Sequence, residues 1–270
     1  MAGFILSAPS AVQAASGTWN VDTDGSWNVN GNWTGASFPN AATQNATLGS
    51  IITAPRTITL GQDITVKSLT FNEATAANTY TVTGANTLTF GTTGIVQSGA
   101  ANAVISCTTV ANGGNTLNLT GAGTGTVTIS SVISGTGGLA KDGGSALYVL
   151  SGNNTYSGAT TIASNGFLLI EHANALGTTG SGTTVSSGGS LQLQGGIAVG
   201  AEAITFSGTG GAGQLLSFSG NNSLAGNIST SGDGIDFASW ADTLTLSGVI
   251  SGSSDLAISE AGTVIFTGNN

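Results

Sequence analysis

A five-residue phrase, Leu or Phe, then Ser or Thr, then Gly-Asn-Asn, occurs three times in this chain, at positions 150–154, 218–222 and 266–270. A second phrase, Val-Ile-Ser-Gly, stands at 132–135 and 249–252, each time followed by a Gly/Ser spacer and a leucine, Leu139 or Leu256. Strands of a sandwich have no reason to share turns. Stacked coils do, because each coil must meet its neighbour with the same corner. Between the phrases runs strict period-two alternation, as in TITL at 57–60, TLTF at 87–90, TLNL at 116–119 and TVTI at 126–129. Alternation of apolar residues with Thr, Ser, Asn or Gln is the mark of a strand with one buried face, and no stretch of comparable length carries a capped helical period. The sequence therefore predicts an all-β chain folded as a parallel β-helix or solenoid, with short strands and Gly/Asn-rich turns.

Composition supports this reading. The chain has 44 glycines and only 3 prolines, without the three-residue period of collagen and interleaved with apolar alternations that a disordered linker would not need. Gly152, Asn153, Asn154, Gly220, Asn221 and Asn222 are the candidate repeat turns, with the asparagines read as left-handed turn residues able to form amide ladders between coils. Cys107 stands alone and, by its alternation, is a buried small hydrophobe.

With 12 carboxylates against 3 Lys and Arg, a formal net charge of −9 argues against nucleic acid and anionic membrane as partners, since both are held by clustered cations. No stretch approaches the roughly 20 continuous apolar residues of a membrane helix. Residues 1–15 have the apolar run and small residues of a secretory leader but lack its basic start. Residues 16–50 form a Trp-containing lead-in, with Trp19, Trp27 and Trp33 expected to cap the N-terminal end of the solenoid. Residues 51–270 are the solenoid repeats.

The stretch 132–170, VISGTGGLAKDGGSALYVLSGNNTYSGATTIASNGFLLI, resembles the autotransporter-associated β-strand repeat, the passenger-associated repeat of secreted bacterial β-helices. It departs from the usual phrase at Ser145-Ala146 and at Asn165-Gly166-Phe167, and a partial second copy spans about 244–270. The lead-in is similar to a segment that often precedes such repeats in large surface proteins. The resemblance implies export and a right-handed β-helix, and no particular reaction.

Chemistry is sparse. Asp22 and Asp24, with Asn28, have oxygen donors near a glycine but lack the bidentate glutamate of a calcium loop. Asp233, Asp236 and Asp242 are the acidic cluster, beside Trp240, without a nearby cation to complete a polysaccharide-cleaving site. His172 and Glu171 alternate onto opposite faces. No cofactor and no enzymatic activity are expected. The last strand, with Val264, Ile265, Phe266, Thr267, Gly268, Asn269 and Asn270, is apolar and nearly uncharged, and is the candidate edge for self-association. The expected function is a secreted or cell-surface structural solenoid that associates end to end into an extracellular fibre. The alternatives are a fragment of a larger autotransporter-like passenger acting in adhesion, with other surface proteins or glycans as partners, and a carbohydrate-active β-helix enzyme.

Overall fold

The computed structural model describes residues 15–35, 37–208, 213–232 and 234–270; the expected leader, save its last residue, and Asp233 lie outside the described residues. Strands account for almost all regular structure, and the helical element among the described residues is a single three-residue 3₁₀ turn, Asn30–Asn32. Among the described residues the strands all pair in parallel, beside one isolated antiparallel bridge between Trp19 and Trp33. From Ala41 onward the paired residues lie 20 to 26 positions apart, as in Leu150 with Ile170 and Ser68 with Gly94. One coil therefore consumes 20 to 26 residues and returns one strand spacing higher, giving a β-solenoid of about ten turns. At about 4.8 Å per coil the stack rises roughly 50 Å.

Inside, alternation becomes ladders. Val82, Ile105, Ile129, Leu150, Ile170 and Leu193 stand directly above one another on one sheet, all at most 1% exposed. On a second sheet Ile162, Val185 and Phe206 form another stack. A third sheet, of the strands Ala198–Val199, Asn222–Leu224, Thr243–Leu246 and Thr263–Phe266, stacks Val199, Leu224, Leu246 and Phe266. Each added coil buries the same positions against the last, which is how a chain only 6% aromatic builds a continuous core.

Corners must let backbones approach at the coil spacing. Gly121 has a left-handed φ of +120°, and a side chain there would overlap the Gln97 carbonyl of the preceding coil. A Cβ at Gly137 would overlap the Asn115 carbonyl in the same way. The asparagines at the repeat turns behave differently from expectation. Asn153, Asn154, Asn221 and Asn222 are not left-handed; among the described residues the non-glycine positions with positive φ are Asn165 and Glu260, and of the two turn glycines only Gly220 is left-handed, at +80°. The reason is that the second asparagine of each phrase, buried at Asn154 and Asn222, accepts a backbone N–H from the preceding coil. Ile133 N–H donates to Asn154 Oδ1 at 2.8 Å, Ile197 N–H to Asn222 Oδ1 at 2.9 Å, and Ile250 N–H to Asn270 Oδ1 at 2.6 Å. The phrase repeats because it is a staple between coils, and its carboxamide satisfies a donor that the corner would otherwise strand. One amide-to-amide bond accompanies these turns, from Asn174 Nδ2 to Asn153 Oδ1 at 2.8 Å.

Candidate functional site

The two ends of the stack and its charged interior positions hold the candidate residues. At the N-terminal end, Gly17–Thr18 and Gly25–Ser26 join the first coil as two-residue parallel strands beside Ala46–Thr47 and Ile58–Thr59. Two-residue strands bury little backbone, and the tryptophans supply the apolar surface instead. Trp19, Trp27 and Trp33 are all at most 2% exposed. Trp33 packs edge-on against Trp19 at 5.3 Å and tilted against Trp27 at 4.7 Å. The indole of Trp27 donates to the Pro39 carbonyl at 2.9 Å and that of Trp33 to the Trp27 carbonyl at 2.7 Å. With their faces buried, these rings offer no platform for a sugar.

The acidic residues read as calcium or catalytic candidates are engaged in holding coils together. Asp22 accepts from the Thr53 hydroxyl at 2.6 Å, the Thr53 N–H at 2.9 Å and the Arg56 guanidinium at 2.9 Å. The Thr53 hydroxyl and N–H bonds, with Arg56 beside them, hold its carboxyl below the usual aspartate range. Asp24 accepts from Thr57 N–H at 2.8 Å. Asp242 accepts from Gly220 N–H at 2.7 Å, and Asp236 accepts from Gln214 Nε2 at 3.2 Å and the Ser259 hydroxyl at 2.8 Å. No group of three His, Cys, Asp or Glu able to hold a metal ion occurs among the described residues. His172 accepts from Asn174 N–H at 3.1 Å through Nδ1, and so caps its own turn.

Inside the coils lie ionisable groups that the sequence reading did not single out. Lys141, 1% exposed, occupies the ladder position between Leu119 and Ile162. Its ammonium donates to the Asp142 carbonyl at 2.7 Å, the Gly144 carbonyl at 2.8 Å and the Asp142 carboxylate at 2.9 Å, so all three protons are used. Glu202, 2% exposed, accepts from the buried Thr183 hydroxyl at 2.7 Å, while its second carboxyl oxygen has no partner. Burial pushes its pKa up. Tyr156 bonds the Thr160 hydroxyl at 2.6 Å, and Tyr148 reaches the Thr120 carbonyl at 2.7 Å; burial raises the pKa of both phenols. These groups are sealed from solvent and rigidify the interior. The signal that could have found them is phase: Lys141 is in register with Leu139, and Glu202 with Ile204 and Phe206.

At the opposite end from the tryptophans, the last coil presents its ladders. Ile250, Leu256, Phe266 and Asn270 line an open apolar hollow. Leu256 and Ile258, at inward positions above Ile235 and Phe237, are 54% and 61% exposed. Phe266 stacks edge-on against Phe237 at 5.6 Å and is 38% exposed, and Ile265 beside it 41%. Val264 packs against the core, and Thr267 N–H bonds the Leu246 carbonyl at 2.9 Å. Gly268 approaches the Gly248 backbone closely enough that a side chain would collide with it. Asn269 lies on this exposed edge.

A stack of parallel coils, cross-linked by corner asparagines and with Asp22, Asp24, Asp236 and Asp242 engaged in coil-to-coil bonds, defines a repeat-built β-solenoid scaffold. Over 198 residues, 73% of the chain, it is 32% identical to the adhesin BmaC autotransporter of Brucella suis biovar 1 (strain 1330). The chain is a β-helix of the autotransporter-passenger type. The matched stretch is 5% of that adhesin's length. No family model and no solved structure matches the chain.

Proposed function

We propose that this chain is a passenger segment displayed on a bacterial surface, where it serves adhesion as a stiff spacer and contact surface and performs no catalysis. The observation that carries this reading is the likeness to an autotransporter adhesin across 73% of the chain, on a fold that continues uniformly from coil to coil. The engagement of Asp22, Asp24, Asp236 and Asp242 in structural bonds supports a role without turnover. The buried Trp19, Trp27 and Trp33 act in this reading as the plug that closes the N-terminal end of the stack.

A second reading rests on the hollow of Ile250, Leu256 and Phe266: two copies associate through this edge, and repeated association would build a fibre. Among the described residues the other end offers two-residue strands over packed indoles, a poor match for an open three-sheet edge, so adhesion ranks first.

Latex beads coated with the full chain, tested for attachment to epithelial cells and to extracellular-matrix films beside beads coated with albumin, check the adhesive reading. Attachment above the albumin level is the expected outcome, and attachment no better than albumin on every surface overturns it. Negative-stain imaging of the same preparation separates the second reading. Single rods of roughly 50 Å speak for a spacer; axial multiples that disappear in Leu256→Asp/Phe266→Asp speak for self-association.

A further inference from the structure

One sheet, which stacks Val149, Leu169, Gln192 and Leu216 on its outward side, carries a break in its register. The strand Gly213–Ser219 stacks on Ser190–Gln194 with a register shift between Leu193 and Gln194: Leu193 pairs with Ser217, but Gln194 pairs with Ser219. The extra residue is Phe218. A bulge of this kind re-aims a side chain at the cost of a ladder bond and recurs beside functional sites. Phe218 is half-buried, stands outside the core cluster and stacks on Trp240 of the next coil, with centroids 4.4 Å apart and planes inclined at 39°. Trp240 is 46% exposed. The indole N–H of Trp240 and the carboxamide of Gln194 have no hydrogen-bond partner among the described residues.

We infer that Gln194, Phe218 and Trp240 form a binding platform for a neutral polysaccharide lying along the rod axis. Three features select that ligand. Two stacked rings give an apolar face that receives the C–H face of a pyranose, and the free amide and indole N–H beside them match hydroxyl groups. The three groups come from three consecutive coils, and the coil spacing of about 4.8 Å is close to the advance of one sugar in an extended chain. Charge excludes the acidic alternatives: the chain has only Arg56, Lys67 and Lys141 as cations against 12 carboxylates, and Asp242, two residues from Trp240, is bonded to Gly220, two residues from Phe218. A protein partner fits worse, because two aromatic residues bury at most about 300–500 Å², short of the roughly 800 Å² per side of a stable interface. The backbone under the platform is fixed, since Asp242 holds Gly220 N–H at 2.7 Å and the Ser239 hydroxyl bonds the Asp242 carbonyl at 2.7 Å.

This inference does not depend on the adhesive reading, because a chain that attaches to no cell can still bind a glycan. The full chain carries four tryptophans, of which Trp19, Trp27 and Trp33 are buried, so fluorescence quenching by acrylamide reports chiefly on Trp240. The probes are cellohexaose, laminarihexaose, mannohexaose, maltohexaose and chitohexaose, with hexagalacturonate as the anionic control. The expected result is saturable protection from quenching by at least one neutral hexasaccharide and none by hexagalacturonate. Calorimetry with that sugar should show binding lost in Trp240→Ala, at least tenfold weaker in Gln194→Ala and retained in Trp240→Tyr, all with an unchanged melting temperature. Protection by none of the neutral sugars, protection by hexagalacturonate, or full-strength binding to Trp240→Ala overturns the proposal.

Discussion

If the stack is set by how closely coils approach at their corners, glycine replacements should separate two costs that usually occur together. Gly121→Ala adds a methyl group that overlaps the Gln97 carbonyl and forces an L-residue to hold φ near +120°. The left-handed backbone costs about 1–2 kcal/mol, and spreading two packed coils about 1–3 kcal/mol, so the total is about 2–5 kcal/mol. Gly137→Ala meets the Asn115 carbonyl without a left-handed φ and should cost only the second part, about 1–3 kcal/mol. Gly31→Ala, in the 3₁₀ turn with nothing within 4 Å of its new Cβ, should be neutral to about 1 kcal/mol stabilising. Urea unfolding followed by far-ultraviolet circular dichroism gives the three values, after coincidence of the intrinsic-fluorescence and dichroism transitions has shown that one free energy describes the whole stack. If Gly121→Ala lies within about 0.5 kcal/mol of Gly31→Ala, corner approach does not limit the stack and the reasoning fails.

Three further outcomes follow from the interior. Lys141→Ala should cost about 2–4 kcal/mol through a cavity and two stranded carbonyls, with Lys141→Met recovering part of it; equal stability of the Ala variant and the parent in urea would contradict the assigned role. Glu202 is protonated more readily folded than unfolded, so its contribution is complete below its unfolded value of 4.5 and declines as pH rises through the higher folded value. Glu202→Gln should therefore flatten the fall in melting temperature as pH rises above 4.5, and an unchanged slope would remove Glu202 as its source. Trp27→Ala at the N-terminal end should cost about 3–5 kcal/mol and accelerate amide exchange first in the strand Arg56–Thr59; uniform acceleration along the rod would show that the indoles do not act locally.

Alternation and repetition carried most of the architecture into the sequence, because a solenoid imposes the same two demands on every coil. Leu139, Leu150 and Phe206 declare themselves as inward by period two, and the GNN phrase declares the coil corner. The conformation of that corner was less legible. Asparagine is common both as a left-handed residue and as an acceptor for neighbouring N–H groups, and only the position of Ile133, Ile197 and Ile250 one coil away decides in favour of the second. The platform was hidden for a different reason. Gln194, Phe218 and Trp240 are 24 and 22 positions apart, and a bulge has no local composition to announce it; reading FSGNN as a regular repeat even obscures that its phenylalanine has been turned outward. Asp236 and Asp242 were visible as a cluster, but whether clustered carboxylates face a substrate or a neighbouring coil depends on the stacking register alone.

The parallel register has a mechanical consequence. All ladder hydrogen bonds point along the rod, so tension applied between its ends does not shear many of them together but opens them one coil at a time, as in a zip. Each coil of 20 to 26 residues that opens releases about 65–95 Å of chain where it had occupied about 4.8 Å. Held between a cell and a surface and pulled in an optical trap, such a rod would lengthen in steps of that size at modest force, limiting the peak load on whatever grips its far end.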